Sequence, residues 1–307
     1  MSAEILDGKA LAAQKRSRLK EKIAASGKDA FLAVVLVGDD EASRLYDRNK
    51  KKAAEELGMR CEIMEFAASM GENALLQVIR ELNEDPAVNG ILVQLPLPPQ
   101  INPGRILAAI APEKDVDGFC PYNCGLLLAN APEAVTAATP KGIYELLKST
   151  GMPLAGKHAV IVGRSNIVGR PLAALLLNQD CTVTVTHSKT RNLPELTRQA
   201  DILVAACGCA EMIKKDWVKP GAVVIDVGIN RIDGRLCGDV DFDEVKEVAS
   251  FITPVPGGVG PMTVAMLMEN TWEAACRQQE NVSQEKHTCH LGDLCLVKGQ
   301  YFNKNNN

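Results

Sequence analysis

The stretch Lys157-His-Ala-Val-Ile-Val-Gly163-Arg164-Ser165-Asn166-Ile167-Val168-Gly169-Arg170-Pro171 decides the fold class. Its apolar run reads as a short buried strand, Gly163 opens a turn, and Leu172 to Leu177 continue as an apolar helix. A strand, a glycine turn and a helix start make a diphosphate cradle, because free backbone N–H groups and the positive end of the helix dipole face the anion. The spacing departs from the usual dinucleotide fingerprint: Ser165 stands at the middle glycine and the last glycine is displaced to Gly169. The next strand, Cys181 to Thr186, ends in His187-Ser188-Lys189-Thr190. An NAD site usually places Asp or Glu here for the ribose 2′-hydroxyl, whereas hydroxyls, Lys189 and Arg164 suit a 2′-phosphate. NADP is therefore expected over NAD. Strands over Asp201 to Ala206 and Ala222 to Val227, the latter closing on Gly228-Ile229-Asn230, extend the same sheet.

Upstream, the apolar runs Phe31 to Val37, Cys61 to Phe66 and Gly90 to Leu95 alternate with helical segments at Gly8 to Ala25, around residues 46–50, and at Asn73 to Asn83. Short apolar runs alternating with helices are the signature of parallel βαβ units. The predicted class is α/β in two domains, an N-terminal βαβ-type catalytic domain and a Rossmann-like doubly wound parallel-sheet NADP domain. Gly151-Met152-Pro153, after a helix from Lys141 to Ser149, marks the boundary. This predicts a first domain over 1–149, completed by a C-terminal helix at about 262–276, a second over 150–261, and a mobile tail over 277–307, where apolar periodicity fades.

With 307 residues and 46% hydrophobic content, the chain has material for a core in each domain. A net charge of -4 argues against a nucleic-acid binder, and no run reaches the roughly 18 apolar residues of a membrane span. A cytoplasmic setting is expected. The 10 cysteines contain no CxxC pair and read as reduced thiols. His287, Cys289, His290 and Cys295 fit none of the usual zinc spacings, so no metal is expected.

The chemistry is placed elsewhere. In Tyr46-Asp-Arg-Asn-Lys50 the phenol and the amine are four residues apart and share one helix face. A lysine acts as a base only where its charged form is disfavoured, which burial and neighbouring positive charge both do. A basic helix segment is otherwise a solvated face. Gln94 ends an apolar strand and is followed by Pro96, Pro98 and Pro99; it either orients Lys50 or is a satisfied core amide. Asp117-Gly118 is either a turn or a carboxylate that accepts two parallel hydrogen bonds from a flat amidine-like ring. The loop Thr253-Pro-Val-Pro-Gly-Gly-Val-Gly-Pro-Met-Thr263 is stiff at its prolines and lets a ligand approach the backbone at its glycines.

Ser43-x-x-Tyr46-x-x-x-Lys50, Gly90-Ile-Leu-Val-Gln-Leu-Pro-Leu-Pro98, Lys114-Asp-Val-Asp-Gly118, Gly163-Arg-Ser-x-x-Val-Gly-x-Pro171, His187-Ser-Lys189 and Pro254-Val-Pro-Gly-Gly-Val-Gly-Pro-Met-Thr263 occur in this order. Together they closely resemble the methylenetetrahydrofolate dehydrogenase/cyclohydrolase family over about residues 3–275. Short-chain dehydrogenases also carry a Tyr-x-x-x-Lys pair, but there it follows the glycine turn. The resemblance implies that Lys50 is the general acid/base, that Tyr46 stacks on and positions the folate, that Gln94 tunes Lys50, and that Asp117 holds the pterin. It implies that Gly163, Arg164, Ser165, Ser188 and Ile229 line the NADP site. Val93, Gln94 and Leu95, with Pro256, Gly257, Gly258, Val259, Gly260, Pro261, Met262, Thr263 and Val264, would flank the folate. It also implies oxidation of 5,10-methylenetetrahydrofolate to the methenyl compound and hydrolysis of that to 10-formyltetrahydrofolate. The substrates would be tetrahydrofolate derivatives, polyglutamylated in the cell, and the enzyme a homodimer joined through its NADP-binding domain. The alternatives are a dehydrogenase without the cyclohydrolase step and a silent nucleotide-sensing module. One departure is Ala137-Ala-Thr-Pro140, where the family often reads Pro-Cys-Thr-Pro.

Overall fold

The computed structural model describes residues 2–38 and 41–299, with side chains described for 2–38 and 48–280. In chain order the first elements are β1 (Glu4–Ile5), α1 (Gly8–Ser26), β2 (Phe31–Val37), α2 (Glu41–Glu56), β3 (Arg60–Phe66), α3 (Glu72–Glu84), β4 (Gly90–Val93), α4 (Pro103–Ala109), α5 (Pro121–Leu128) and α6 (Ala138–Ser149). There follow β5 (His158–Val162), α7 (Gly169–Leu177), β6 (Thr182–Thr186), α8 (Leu193–Thr197), β7 (Ile202–Ala205), β8 (Val223–Asp226), β9 (Asn230–Ile232), β10 (Arg235–Cys237), α9 (Phe242–Val245), β11 (Phe251–Ile252) and α10 (Val259–Gly299).

The apolar runs become strands of two parallel sheets, one ordered β3-β2-β4 and the other β1-β11-β8-β7-β5-β6. Every residue of β2 is buried, as is every residue of β4, β7 and β8. Such strands have both faces covered, which is why they read as continuous apolar runs rather than alternations. Each fully buried Leu, Val or Ile contributes about 1.5–3 kcal/mol. In the larger sheet β5 has β6 on one side and β7 on the other. The chain reverses its winding there, so the loop after β5 lies at the topological switch point, where such sheets bind ligands.

Helix α10 packs on α1 and α6 and so returns the end of the chain to the first domain. Asn270 on it donates to the carbonyls of Val116 and Thr136, both at 2.9 Å, and accepts from Lys141 Nζ at 2.9 Å. Two expectations need correction. Residues of β1 pair with β11, so the N-terminus contributes a strand to the second sheet and not to the first domain. Helix α10 does not end near Cys276 but continues to Gly299. Its polar residues just past Cys276 are used: Gln278 Nε2 donates to the carbonyls of Asn89 and Glu113, both at 2.9 Å. That anchoring rests on hydrogen bonds, which apolar periodicity does not register.

Candidate active site

Lys50 lies on α2 and is only 6% exposed. Its Nζ donates to Gln94 Oε1 at 2.6 Å, and Gln94 Nε2 donates to the Leu95 carbonyl at 2.7 Å. The Gln94 backbone N–H donates to Val35 O at 2.9 Å, so strand pairing holds Gln94 at the carboxyl end of β4. The amine therefore meets a neutral oxygen fixed from behind. A carboxylate there would lock the amine as a charged pair.

Asp117 reaches the same place through a turn that leaves the first sheet. The segment before it continues the sheet, with Ile91 N donating to Lys114 O at 2.8 Å and Ile91 bridged to Asp115. After Asp115 the chain leaves the sheet in a turn, with Gly118 N donating to Asp115 O at 3.4 Å, and this turn separates the fates of the two aspartates. Asp115 is buried and accepts from the backbone N–H groups of Phe119 and Cys120 and from Asn123 Nδ2. Asp117 lines the cavity with Lys50. Gly118 has φ +68°, and a Cβ there would stand 2.7 Å from Val135 O, so the turn requires glycine. Lys114 is structural: its Nζ donates to the carbonyls of Leu82, Asn83 and Asp85 at the end of α3, and burial lowers its pKa.

The Lys50 cavity has a volume of about 250 Å³ and is walled by Val93, Gln94, Leu95, Asp117, Phe119, Thr139, Ile229, Val259, Gly260, Thr263 and Val264, among others. Thr139 and Thr263 hydroxyls hydrogen-bond across it at 3.0 Å. Ile167 and Val168 of the glycine turn form part of its wall.

The other side of that turn faces a cavity of about 350 Å³ lined by Gly163, Arg164, Ser165, His187, Ser188 and Cys207. Gly163 has φ +128°, and a Cβ would lie 2.0 Å from Ala206 O; one on Gly169 would lie 2.1 Å from Gly163 O. The turn thus packs backbone on backbone, the cradle a diphosphate needs. Ser165, at the position of the middle glycine, uses its Oγ to accept from Val168 N at 3.1 Å. None of the residues lining this cavity is Asp or Glu.

Two buried aspartates bracket the loops between these cavities. Asp239 accepts from the backbone N–H groups of Cys207 and Gly208 and from Asn230 Nδ2, at 2.7, 3.0 and 2.9 Å. Asp226 accepts from Gly228, Asp239 and Val240 N–H at 3.0, 2.8 and 3.0 Å. Burial pushes the Asp226 carboxyl up to about 7 against the pull of those N–H groups. Burial, then the Asp239 charge, pushes the Cys207 thiol up to about 12, so it stays protonated and is no nucleophile.

A family model for the tetrahydrofolate dehydrogenase/cyclohydrolase catalytic domain matches residues 6–117, and one for the NAD(P)-binding domain of the same proteins matches residues 137–279. The chain belongs to the tetrahydrofolate dehydrogenase/cyclohydrolase family. It is 54% identical over 278 residues to the bifunctional protein FolD of Listeria innocua, covering 89% of this chain and 98% of that one. The crystal structure of the bifunctional FolD methylenetetrahydrofolate dehydrogenase/cyclohydrolase from Campylobacter jejuni superposes with a TM-score of 0.88 at 49% identity, covering 90% of this chain and 100% of that one. The Trypanosoma brucei FolD, solved with NADP cofactor and inhibitor, gives 0.86 at 39% identity, covering 90% and 98%.

Set against the family motifs, the structure brings Lys50, Val93, Gln94, Leu95, Asp117, Val259, Gly260, Thr263 and Val264 around one cavity, and Gly163, Arg164, Ser165 and Ser188 around the other. Ile229, expected among the nucleotide residues, lines the Lys50 cavity, whose wall also includes Ile167 and Val168 of the glycine turn. Pro256, Gly257, Gly258 and Pro261 line an adjoining cavity. Met262 lines none of them: it is fully buried, with its Cβ against the position a Gly142 side chain would take. On a helix Val259, Gly260, Thr263 and Val264 share a face, and Met262 points away from it toward α6. The Tyr46 side chain lies outside the described residues, as do those of His287, Cys289, His290 and Cys295. Among the described residues, no group of three or more His, Cys, Asp or Glu could hold a metal ion. Phe119, Thr139, Ile167 and Val168 escaped the sequence reading; Ile167 and Val168 had a signal, since they sit inside the glycine motif.

Proposed function

We propose that the protein oxidises 5,10-methylenetetrahydrofolate to 5,10-methenyltetrahydrofolate with NADP+ and hydrolyses that product to 10-formyltetrahydrofolate. The observation that carries this reading is that Ile167 and Val168 of the glycine turn wall the cavity into which Lys50 and Gln94 project. One ring held by the turn and one held at Lys50 then lie face to face. Gly163, Ser165, Arg164 and Ser188 hold NADP, with Arg164 and Ser188 on the 2′-phosphate; the bound cofactor supplies the hydride acceptor. The protein's part in that step is to hold the rings in register and exclude water.

Asp117 accepts two parallel hydrogen bonds from the amidine-like edge of the pterin, which orients the methylene bridge toward the turn. Tyr46 stacks on the folate. In the second step water adds to the methenyl carbon, one C–N bond of the five-membered ring breaks, and a formyl group remains on the other nitrogen. Lys50 takes one proton of the attacking water and returns it to the departing ring nitrogen, with Gln94 fixing the direction of its Nζ, and the remaining hydroxyl proton leaves to solvent as the formyl carbonyl forms and the cation is discharged.

Purified protein given 5,10-methylenetetrahydrofolate should form NADPH without accumulating methenyl absorbance. The KM for NAD+ should exceed that for NADP+ at least tenfold, since a charge-assisted bond to the 2′-phosphate is worth about 1.5–3 kcal/mol. Equal KM values would overturn the choice of cofactor, and a build-up of methenyl compound would leave a dehydrogenase alone.

The enzyme acts as a homodimer in the cytoplasm, in one-carbon metabolism that supplies purine assembly. No helix among the described residues is long and apolar enough to cross a membrane. In the NADP-binding sheet β6 is an edge strand, and beside it Leu128 is 66% exposed, Leu177 55% and Val185 38%. An open edge flanked by apolar side chains favours a second copy. Sedimentation of the wild type should give the mass of two chains, and Leu177→Glu with Val185→Arg should give one. A wild type that sediments as a monomer at micromolar concentration would sink the dimer.

A further inference from the structure

Asp239 is fully buried, and among the described residues no cation pairs with it. A buried carboxylate is costly unless hydrogen bonds satisfy it. Those that satisfy Asp239 come from two places. Its Oδ2 accepts from the backbone N–H groups of Cys207 and Gly208, in the loop after β7. Its Oδ1 accepts from Asn230 Nδ2 in the first residue of β9, and a Cβ on Gly228 would lie 2.3 Å from that same oxygen. Each side leads to a different cavity. Ala206, Cys207 and Cys209 line the cavity of the glycine turn. Ile229 stands between Gly228 and Asn230, the two residues held against Oδ1, and walls the Lys50 cavity. We infer that Asp239 is a positioning residue for hydride transfer, one carboxylate that sets the backbone of the nucleotide cavity and the Ile229 wall of the substrate cavity at a fixed separation. Asp239 lines neither cavity itself. The inference rests on the dehydrogenase reading above and adds a residue to it.

The carboxylate is fixed from behind. Asp239 N donates to Asp226 Oδ1 and Val240 N to Asp226 Oδ2, and Asp226 is the last residue of β8. Asp226 N in turn donates to Thr253 Oγ1 at 2.7 Å. Asp239 O accepts from Ile213 N at 2.9 Å and Gly238 O from Glu211 N at 3.0 Å, so the segment runs beside the continuation of the β7 loop. A Cβ on Gly238 would lie 1.7 Å from Asp226 Oδ2, which leaves the two carboxylates no slack. Asp239 cannot move relative to β8 without breaking several of these bonds together, and a polar network satisfied in this way is rigid.

The donors also explain why an acid stands here and not its amide. Three N–H groups converge on the side chain, and an ionised carboxylate accepts at both oxygens, whereas an amide would turn its own NH2 toward one of them. A hydrogen bond to a charged group is worth roughly tenfold to a hundredfold in an equilibrium. A cap on a single loop would use one oxygen. Asp239 divides its two oxygens between the loop that faces the cofactor and the loop that carries Ile229.

The test runs two assays on the full-length enzyme, NADPH formation from 5,10-methylenetetrahydrofolate and hydrolysis of added 5,10-methenyltetrahydrofolate without cofactor. In Asp239→Asn the KM for NADP+ should rise by about tenfold or more, while hydrolysis, which draws on Lys50, Gln94 and Asp117, should fall by no more than about threefold. Asn230→Ala cuts only the Oδ1 side. Its KM for NADP+ should stay within about twofold of wild type while kcat for NADPH formation falls about tenfold, because the nucleotide loop keeps its anchor and the ring wall does not. That split keeps the test open if Asp239→Asn misfolds. Asp239→Asn/Asn230→Asp places the charge on the other side of the same contact and should recover about fivefold of the NADP+ affinity lost in the single variant. Equal falls in the two assays, which loss of folded protein would give, or unchanged KM and kcat in both single variants, overturn the positioning role and leave the reaction in place. A wild type that forms no NADPH strikes the dehydrogenase reading itself, and the positioning role with it.

Discussion

Lys50→Met is expected to lower hydrolysis of the methenyl compound by about 10² to 10⁴, the usual contribution of a positioned general acid/base. Methionine keeps the length and apolar stem of lysine and removes only the nitrogen. The Gln94 oxygen that loses its donor faces a cavity and gains water in exchange, and the Gln94 amide stays tied to the Leu95 carbonyl. Loss of activity therefore should not come with loss of the fold, which a melting curve will show. NADP+ binding, measured by titration calorimetry, should persist, because Lys50 does not line the Gly163 cavity. Normal decay of methenyl absorbance in this variant would remove Lys50 from the chemistry.

Much of this arrangement was legible in the chain because burial leaves a plain trace. β2, β4, β7 and β8 are covered on both faces and appear as unbroken apolar runs. β1 and β11, at two residues each, carry no pattern at all; their pairing follows from where α1 is clamped, a tertiary fact. The site was legible in proportion to how local its geometry is. Gln94 stood open between a core amide and a partner of Lys50, and only the fold brings the two within 2.6 Å. Asp115 and Asp117 are alike in type and two apart in sequence, yet the first is satisfied by Phe119, Cys120 and Asn123 while the second opens on the cavity. Met262 sits in a loop-like motif that the structure winds into the first turn of α10, which turns it inward. The Asp226 and Asp239 bracket joins loops that follow different strands, so no spacing announces it.

Gly163→Ala should produce the converse of the lysine variant. Gly163 holds φ +128°, and an added Cβ would stand 2.0 Å from the Ala206 carbonyl oxygen. Backbone cannot yield as a side-chain tip does, so the turn must move away from β7. A disfavoured φ costs about 1–2 kcal/mol and a forced methyl about 1–3 kcal/mol, together roughly 3 kcal/mol or more. If that strain is relieved by distorting the cradle, NADP+ binding loses the same amount, and its KM rises about a hundredfold or more. Hydrolysis of added methenyltetrahydrofolate needs no hydride acceptor and draws on Lys50, Gln94 and Asp117, which stand on other elements. It should fall by only a few-fold, through the shift of Ile167 and Val168 in the shared wall. The two variants then separate the reactions in opposite senses, which a general loss of stability would not do. An unchanged KM for NADP+ in Gly163→Ala would mean that the diphosphate is held somewhere other than this turn.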